Sequence, residues 1–185
     1  SYLGKLEDID NTPVKEELLT ANLKKRGYTD GQIKTAINEL VGKVSNQVDT
    51  LYQINRSVYS LLRYGRQGVK DSNGHRQTVH YIAWDDIDKN DFYVAEEVSV
   101  LRYDNVTRKR PDVVLYINGI SLGVFELKSS YVSSGKGIRQ LLTNQKRENI
   151  LNFFSTSQFL FAGNEAEGLF YGTIKTPEKY YLKWK

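Results

Sequence analysis

The chain has no cysteine and no methionine, and only three prolines and two histidines among its 185 residues. Without thiols it forms neither disulfides nor thiolate metal sites, and it offers no cysteine nucleophile. A reducing, cytoplasmic compartment is the expectation that follows. His75 and His80 flank a polar RQTV segment and read as solvated loop or strand-edge residues. No apolar run approaches the roughly 20 residues that cross a bilayer, and no secretory leader opens the chain. The absence of methionine even at residue 1 reads as a processed end or as a piece of a longer chain. No repeat or low-complexity tract divides the sequence.

What is present describes a folded domain. Hydrophobic residues make up 39% and charged residues 26%, within the range of ordinary soluble proteins. Thirteen tyrosines against seven phenylalanines and two tryptophans suit half-buried strands whose rings keep a wet hydroxyl. The net charge of +4 is compatible with a polyanionic partner without requiring one.

The pattern predicts one α/β (α+β) domain over residues 1–185, with a mainly helical part at 1–64 packing on a core at 65–185. In NTPVKEELLTANLKKRGY, Thr12 is a candidate N-cap, Pro13 stands at the first helical position and Gly27 closes the helix. Apolar residues then recur at three- and four-residue steps from about 31 to 64, with a break expected near 45. The Gly-, Arg- and Lys-rich stretch from 65 reads as a loop or hairpin tip. Strand-like runs follow at 78–84, 91–101, 112–117 and 121–128, then a helix at about 137–153 and two short strands. The expected architecture is a mixed central sheet flanked by helices.

Chemistry concentrates in KRPDVVLYINGISLGVFELKSS at 109–130. Asp112 opens one arm of an apolar hairpin, while Glu126 and Lys128 close the other and share a face because they are two apart. With a plain two-residue Asn118-Gly119 turn, Asp112 pairs with Phe125 and the acids point apart. With a three-residue loop or one bulge, Asp112 falls opposite Glu126. Both registers are physically available. If the acids converge, their repulsion calls for a cation, and Mg²⁺ with its preference for oxygen is the natural one, as one or two ions. Asp112, Glu126 and the Leu127 backbone carbonyl would hold it, and Lys128 would orient water and stabilise charge on a phosphorane. The competing reading is a solvated salt bridge worth under about 1 kcal/mol. Apolar flanks on both arms argue for central strands, where an unpaired carboxylate is costly.

RPDVVLYINGISLGVFELK, with EELLTANLKKRGY and DFYVAEEVSVLR before it and AGN…GLFYGT after it, closely resembles the nuclease domain of type I restriction enzyme R (motor) subunits, within the PD-(D/E)xK superfamily. The resemblance implies a restriction-endonuclease-like core in which Asp112 and Glu126 bind metal and Lys128 is catalytic. It implies a site glutamate on the first helix, matched by Glu16 with Glu17 as the competing register. It also implies a Gln-x-x-x-Tyr motif, here Gln140 followed by Asn144 in place of the tyrosine, with Gln145 as a possible substitute on another helical face. A DNA path past Arg108, Lys109, Arg110, Lys136, Arg139, Lys146 and Arg147 fits that implication, and Arg63, Arg66 and Lys70 form a weaker second patch. SSGKG at 133–137 lacks the spacing of a phosphate loop.

The function so implied is Mg²⁺-dependent hydrolysis of double-stranded DNA. The whole subunit would add an ATP-driven translocase and work with methyltransferase and specificity subunits. No Walker A sequence lies in these residues, so ATP would belong to the full subunit and not to this part. A stand-alone nuclease of the same superfamily, or a DNA-binding or docking module with a vacant site, are the alternatives.

Overall fold

A computed structural model describes residues 1–7, 9–71 and 73–185; Ser72, in the Gly-rich stretch, lies outside the described residues. Chain order runs β1 (Tyr2–Lys5), α1 (Glu16–Lys25), α2 (Asp30–Val44), α3 (Leu51–Tyr64), β2 (Arg66–Lys70) and β3 (Arg76–Val79). It continues through β4 (Phe92–Glu96), β5 (Val100–Leu101), β6 (Arg108–Lys109), β7 (Val113–Ile117) and β8 (Ile120–Leu127). The last elements are α4 (Ser134–Asn144), β9 (Phe159–Asn164), β10 (Gly168–Gly172) and β11 (Leu182–Lys183). The fold is α/β, consistent with a restriction-endonuclease-like core.

A seven-stranded mixed sheet in the order β1-β4-β7-β8-β9-β10-β11 forms the centre. β8 and β9 run parallel and are joined through α4, as a parallel pair requires a crossover. β1 pairs in parallel with β4 at the other edge. One face of this sheet is fully covered. Ala95, Val114, Val124, Leu160 and Ala162 are each 0% exposed and pack with Leu141, Ile150, Phe153 and Phe154. A second apolar cluster joins Leu19 and Leu23 of α1 to Ile33, Leu40 and Val58 of the next two helices and to Ile120 at the head of β8.

The break expected near residue 45 falls between α2 and α3. Thr29 and Thr50 each cap a helix in a full capping box, with Gln32 and Gln53 answering from the third helical position. The first helix starts later than its Thr12-Pro13 signal predicts. Residues 13–15 are held instead by the hairpin turn: Ser121 donates to the Pro13 carbonyl, Lys15 to that of Gly119, and Val14 bridges Ile120. The helix expected over 137–153 ends at Asn144, because Ile150 turns back to donate to the Asn144 carbonyl and a short 3₁₀ turn follows at Leu151–Phe154.

Two long strand predictions are also cut short. The run at 78–84 stops at Val79, since Asn90 binds both backbone groups of Ala83 and Asn118 donates to the Tyr81 carbonyl. The run at 91–101 breaks at Glu97, which takes a left-handed φ of 45°. β5 is the far end of that run, while β1, β6 and β11 carry too little periodicity to be read from the sequence.

Candidate active site

The hairpin of β7 and β8 decides whether a site exists. Its turn has positive φ at both Asn118 (53°) and Gly119 (85°), as a tight primed turn requires. Asn118 fits this role through its side chain, which accepts from the Asp91 N–H and donates to the Tyr81 backbone carbonyl and to the side-chain Oδ1 of Asn90. Ile117 pairs with Ile120 and Tyr116 with Ser121; beyond them Leu115 pairs with Gly123 and Val113 with Phe125. Leu122 is therefore the extra residue of a bulge, and the shifted register carried one residue further sets Asp112 opposite Glu126. Of the two registers open in the sequence, the chain adopts the bulged one.

Glu126 lies on the covered face and is 1% exposed. The Lys128 ammonium donates to its Oε1 at 2.7 Å and to Gln140 Oε1 at 2.9 Å. Glu126 Oε2 is buried and has no hydrogen-bond partner. Burial pushes the Glu126 carboxyl up to about 7; the neighbouring Asp112 carboxylate pushes the same way, and Lys128 opposes both without cancelling them. Asp112 accepts from the Leu127 N–H at 2.6 Å, which fixes its carboxylate against the end of β8. The Lys128 N–H donates to the Gly163 carbonyl, so the β8–β9 pairing holds the lysine backbone. Helix α4 approaches this strand end closely: a Cβ on Gly137 would stand 3.1 Å from both the Glu126 carbonyl oxygen and the Ala162 Cβ.

These residues fit a divalent cation. A buried carboxylate oxygen without a donor is costly in a protein interior. Here it stands beside a second acid that repels it, and an oxygen-seeking ion relieves both strains at once. Asp112 and Glu126 would hold the ion, with the Leu127 carbonyl next along the backbone. Among the described residues no cluster of three or more His, Cys, Asp or Glu side chains forms a fuller cage. Two carboxylates are nonetheless enough for Mg²⁺, which keeps water and substrate oxygens in its shell. The site stands at open strand ends; cavities of about 530 and 540 Å³ are lined by other residues.

The remaining expected residues divide. Gln140 reaches the site, but as the partner of Lys128. Lys136 is exposed on the first turns of the same helix. Arg139 is exposed and ion-paired with Glu178 at 2.6 Å, and Arg110 lies 3.8 Å from Glu97. Gln145 does not substitute for the missing tyrosine, because its buried side chain is spent on the Leu141 carbonyl and the Lys175 N–H. Asn144 is buried, with neither side-chain polar atom partnered. In SSGKG, Ser133 caps α4 and Glu167 accepts from both the N–H and the hydroxyl of Ser134, so a carboxylate already occupies the helix N-terminus.

Glu16 is not brought to the carboxylate pair. It is exposed at the start of α1, beside the Asn118-Gly119 turn, where it lines a cavity with Leu3, Leu6 and Tyr116. Ile120 bridges Val14, and Glu126 lies six residues further along β8, roughly 20 Å at the rise of a strand. Glu17 shares that end. The resemblance matched Glu16 to a site glutamate through its helix, which carried no information about which end of the hairpin that helix meets.

The model of the family described as "Type I restriction enzyme R protein N terminus" matches residues 4–179. The chain is 39% identical over 74 residues to a protein of Methanocaldococcus jannaschii named as the type I restriction enzyme MjaIXP endonuclease subunit, covering 38% of this chain and 7% of that one. It is 30% identical over 118 residues to the MjaVIIIP endonuclease subunit of the same organism, covering 64% of this chain and 11% of that one. The match thus takes in only a minor part of each relative's length. With a family match along nearly its whole length, the chain belongs to the type I restriction enzyme R protein N-terminal family.

Proposed function

We propose that this domain hydrolyses phosphodiester bonds of double-stranded DNA with a divalent cation, Mg²⁺ in the cell. The observation that carries the reading is the buried, donor-less Oε2 of Glu126, set beside Asp112 and Lys128 at the end of the hairpin. Asp112, Glu126 and the Leu127 carbonyl are the groups that would hold the ion. When bound, it would supply a Lewis acid for the scissile phosphate and a lowered pKa for a coordinated water.

The chain's own residues do the rest. Asp112 is held in place by the Leu127 N–H, so it need not reorganise. Lys128, 20% exposed at its side chain, can turn its ammonium from Glu126 toward solvent, where it would orient the attacking water and offset charge on the phosphorane. Gln140 keeps that ammonium at the site while it does so. Lys136, Arg139 and Arg110 would bind backbone phosphates and confer no sequence preference. In the longer subunit to which this domain would belong, ATP-driven translocation by other parts would deliver DNA, with methyltransferase and specificity subunits choosing the site in the cytoplasm.

Nicking of supercoiled plasmid with Mg²⁺ or Mn²⁺, paired with calorimetric titration of Mn²⁺, tests this. Wild type is expected to bind Mn²⁺ and to nick. Asp112→Ala and Glu126→Gln should lose both, whereas Lys128→Ala should lose nicking alone. Equal Mn²⁺ binding by wild type and Asp112→Ala would overturn the metal site.

A further inference from the structure

The central sheet has two unlike faces. On the helix side, Val114, Val124, Leu160 and Ala162 are completely buried. On the other, cross-strand pairing lines up Val113, Phe125, Phe161, Tyr171 and Leu182 in one row and Leu115, Gly123 and Phe159 in the next. Trp184, hydrogen-bonded to Leu169 beyond β11, extends this face. Its aromatic rings stack on one another: Phe125 on Phe161 at 4.4 Å, Phe159 near Phe161 at 6.1 Å, and Trp184 edge-on to Tyr171 at 5.3 Å. Yet Leu127, Phe159 and Trp184 are 46%, 49% and 52% exposed. Of the large side chains in these rows, only Phe161 is buried.

We propose that this aromatic face is a docking surface for another part of the same, longer polypeptide. Three observations favour that occupant. The strands are apolar on both faces, VVLYI and FLFAG, which is the pattern of a sheet meant to be covered twice. A continuous apolar patch of this kind is rare on a free monomer and marks a contact. Both relatives carry roughly nine-tenths of their length outside the matched part, and chain attached in this way faces the sheet at a high effective concentration that a second copy lacks. The inference rests on family membership and not on nuclease chemistry; a vacant site would leave the docking unchanged.

Hydroxyl-radical footprinting of the full-length R protein carrying this domain tests it. Tyr131, 99% exposed, and Tyr103, 60% exposed, serve as internal references. Phe159, Tyr171 and Trp184 are expected to label at least tenfold more slowly than Tyr131, without DNA and independently of protein concentration. Leu182→Asp, at a position already 58% exposed, is expected to restore labelling of Trp184. Labelling of Phe159 and Trp184 at about half the Tyr131 rate would overturn the proposal. So would protection that vanishes on dilution, which means a second copy, or protection that appears only with DNA.

Discussion

Glu126 concentrates the electrostatic cost of the candidate site. Its carboxyl titrates near 7 when folded, against an ordinary value of 4.5, so the folded chain holds this proton more tightly than the unfolded one. The corresponding stability is present in full below about pH 4.5 and is lost as pH rises through 7, up to about 3 kcal/mol in all. In chelator, the melting temperature is therefore expected to fall between pH 5 and 8, and Glu126→Gln should flatten that slope. Bound Mn²⁺ requires the ionised carboxylate, so its affinity should rise over the same range. Lys128→Ala is expected to slow nicking by about 10²–10³-fold while changing DNA affinity less than threefold, read by single-turnover kinetics beside anisotropy. Asp112, Glu126 and Lys128 were all legible in the sequence as charges at the ends of apolar strands. Gln140 was legible as a residue but not in its contact with Lys128, and Glu16 was misplaced because a helical repeat fixes a face and not a position along a sheet.

At the level of elements, the turn and the bulge set the register. Gly119 has φ of 85° and no room for a side chain: a Cβ would meet the Lys15 carbonyl oxygen at 2.6 Å and the Leu18 Cβ at 2.8 Å. Gly119→Ala should thus cost about 3 kcal/mol or more in urea unfolding, well above the usual 1 kcal/mol for a strained glycine position alone. An outcome below 1 kcal/mol would mean that α1 does not press on the turn. The Asn-Gly signal announced the turn, but the bulge at Leu122 was one of two open choices. Neither arm advertises it locally; it follows from seating Pro13–Lys15 against Gly119 and Ser121. For the same reason helix starts written in capping boxes were legible at Thr29 and Thr50, whereas the start of α1 was displaced by a tertiary pairing.

On the scale of the whole molecule, the α/β class followed from alternating helical and strand periods, and apolar runs at β7, β8 and β9 announced a central sheet. Those runs gave no sign that one face lies open, because composition reports what should be covered and not by what. The positive charge is spread thinly near the site. With Arg110, Lys136 and Arg139 on phosphates, the DNA affinity of the domain should fall with salt at a log–log slope of about −3 and be indifferent to sequence. Anisotropy on two unrelated duplexes checks this; a slope near zero would remove those cations from the path.

Strand alternation divides the end of β8 between the two faces of the sheet. Glu126 and Lys128 point to the helix side, and Leu127 between them points to the aromatic face. Pressure on Leu127 would tilt one short lever whose two other arms are the acid and the ammonium. A body resting on the open side of the sheet would thus bear on the backbone that carries both side chains without touching either of them.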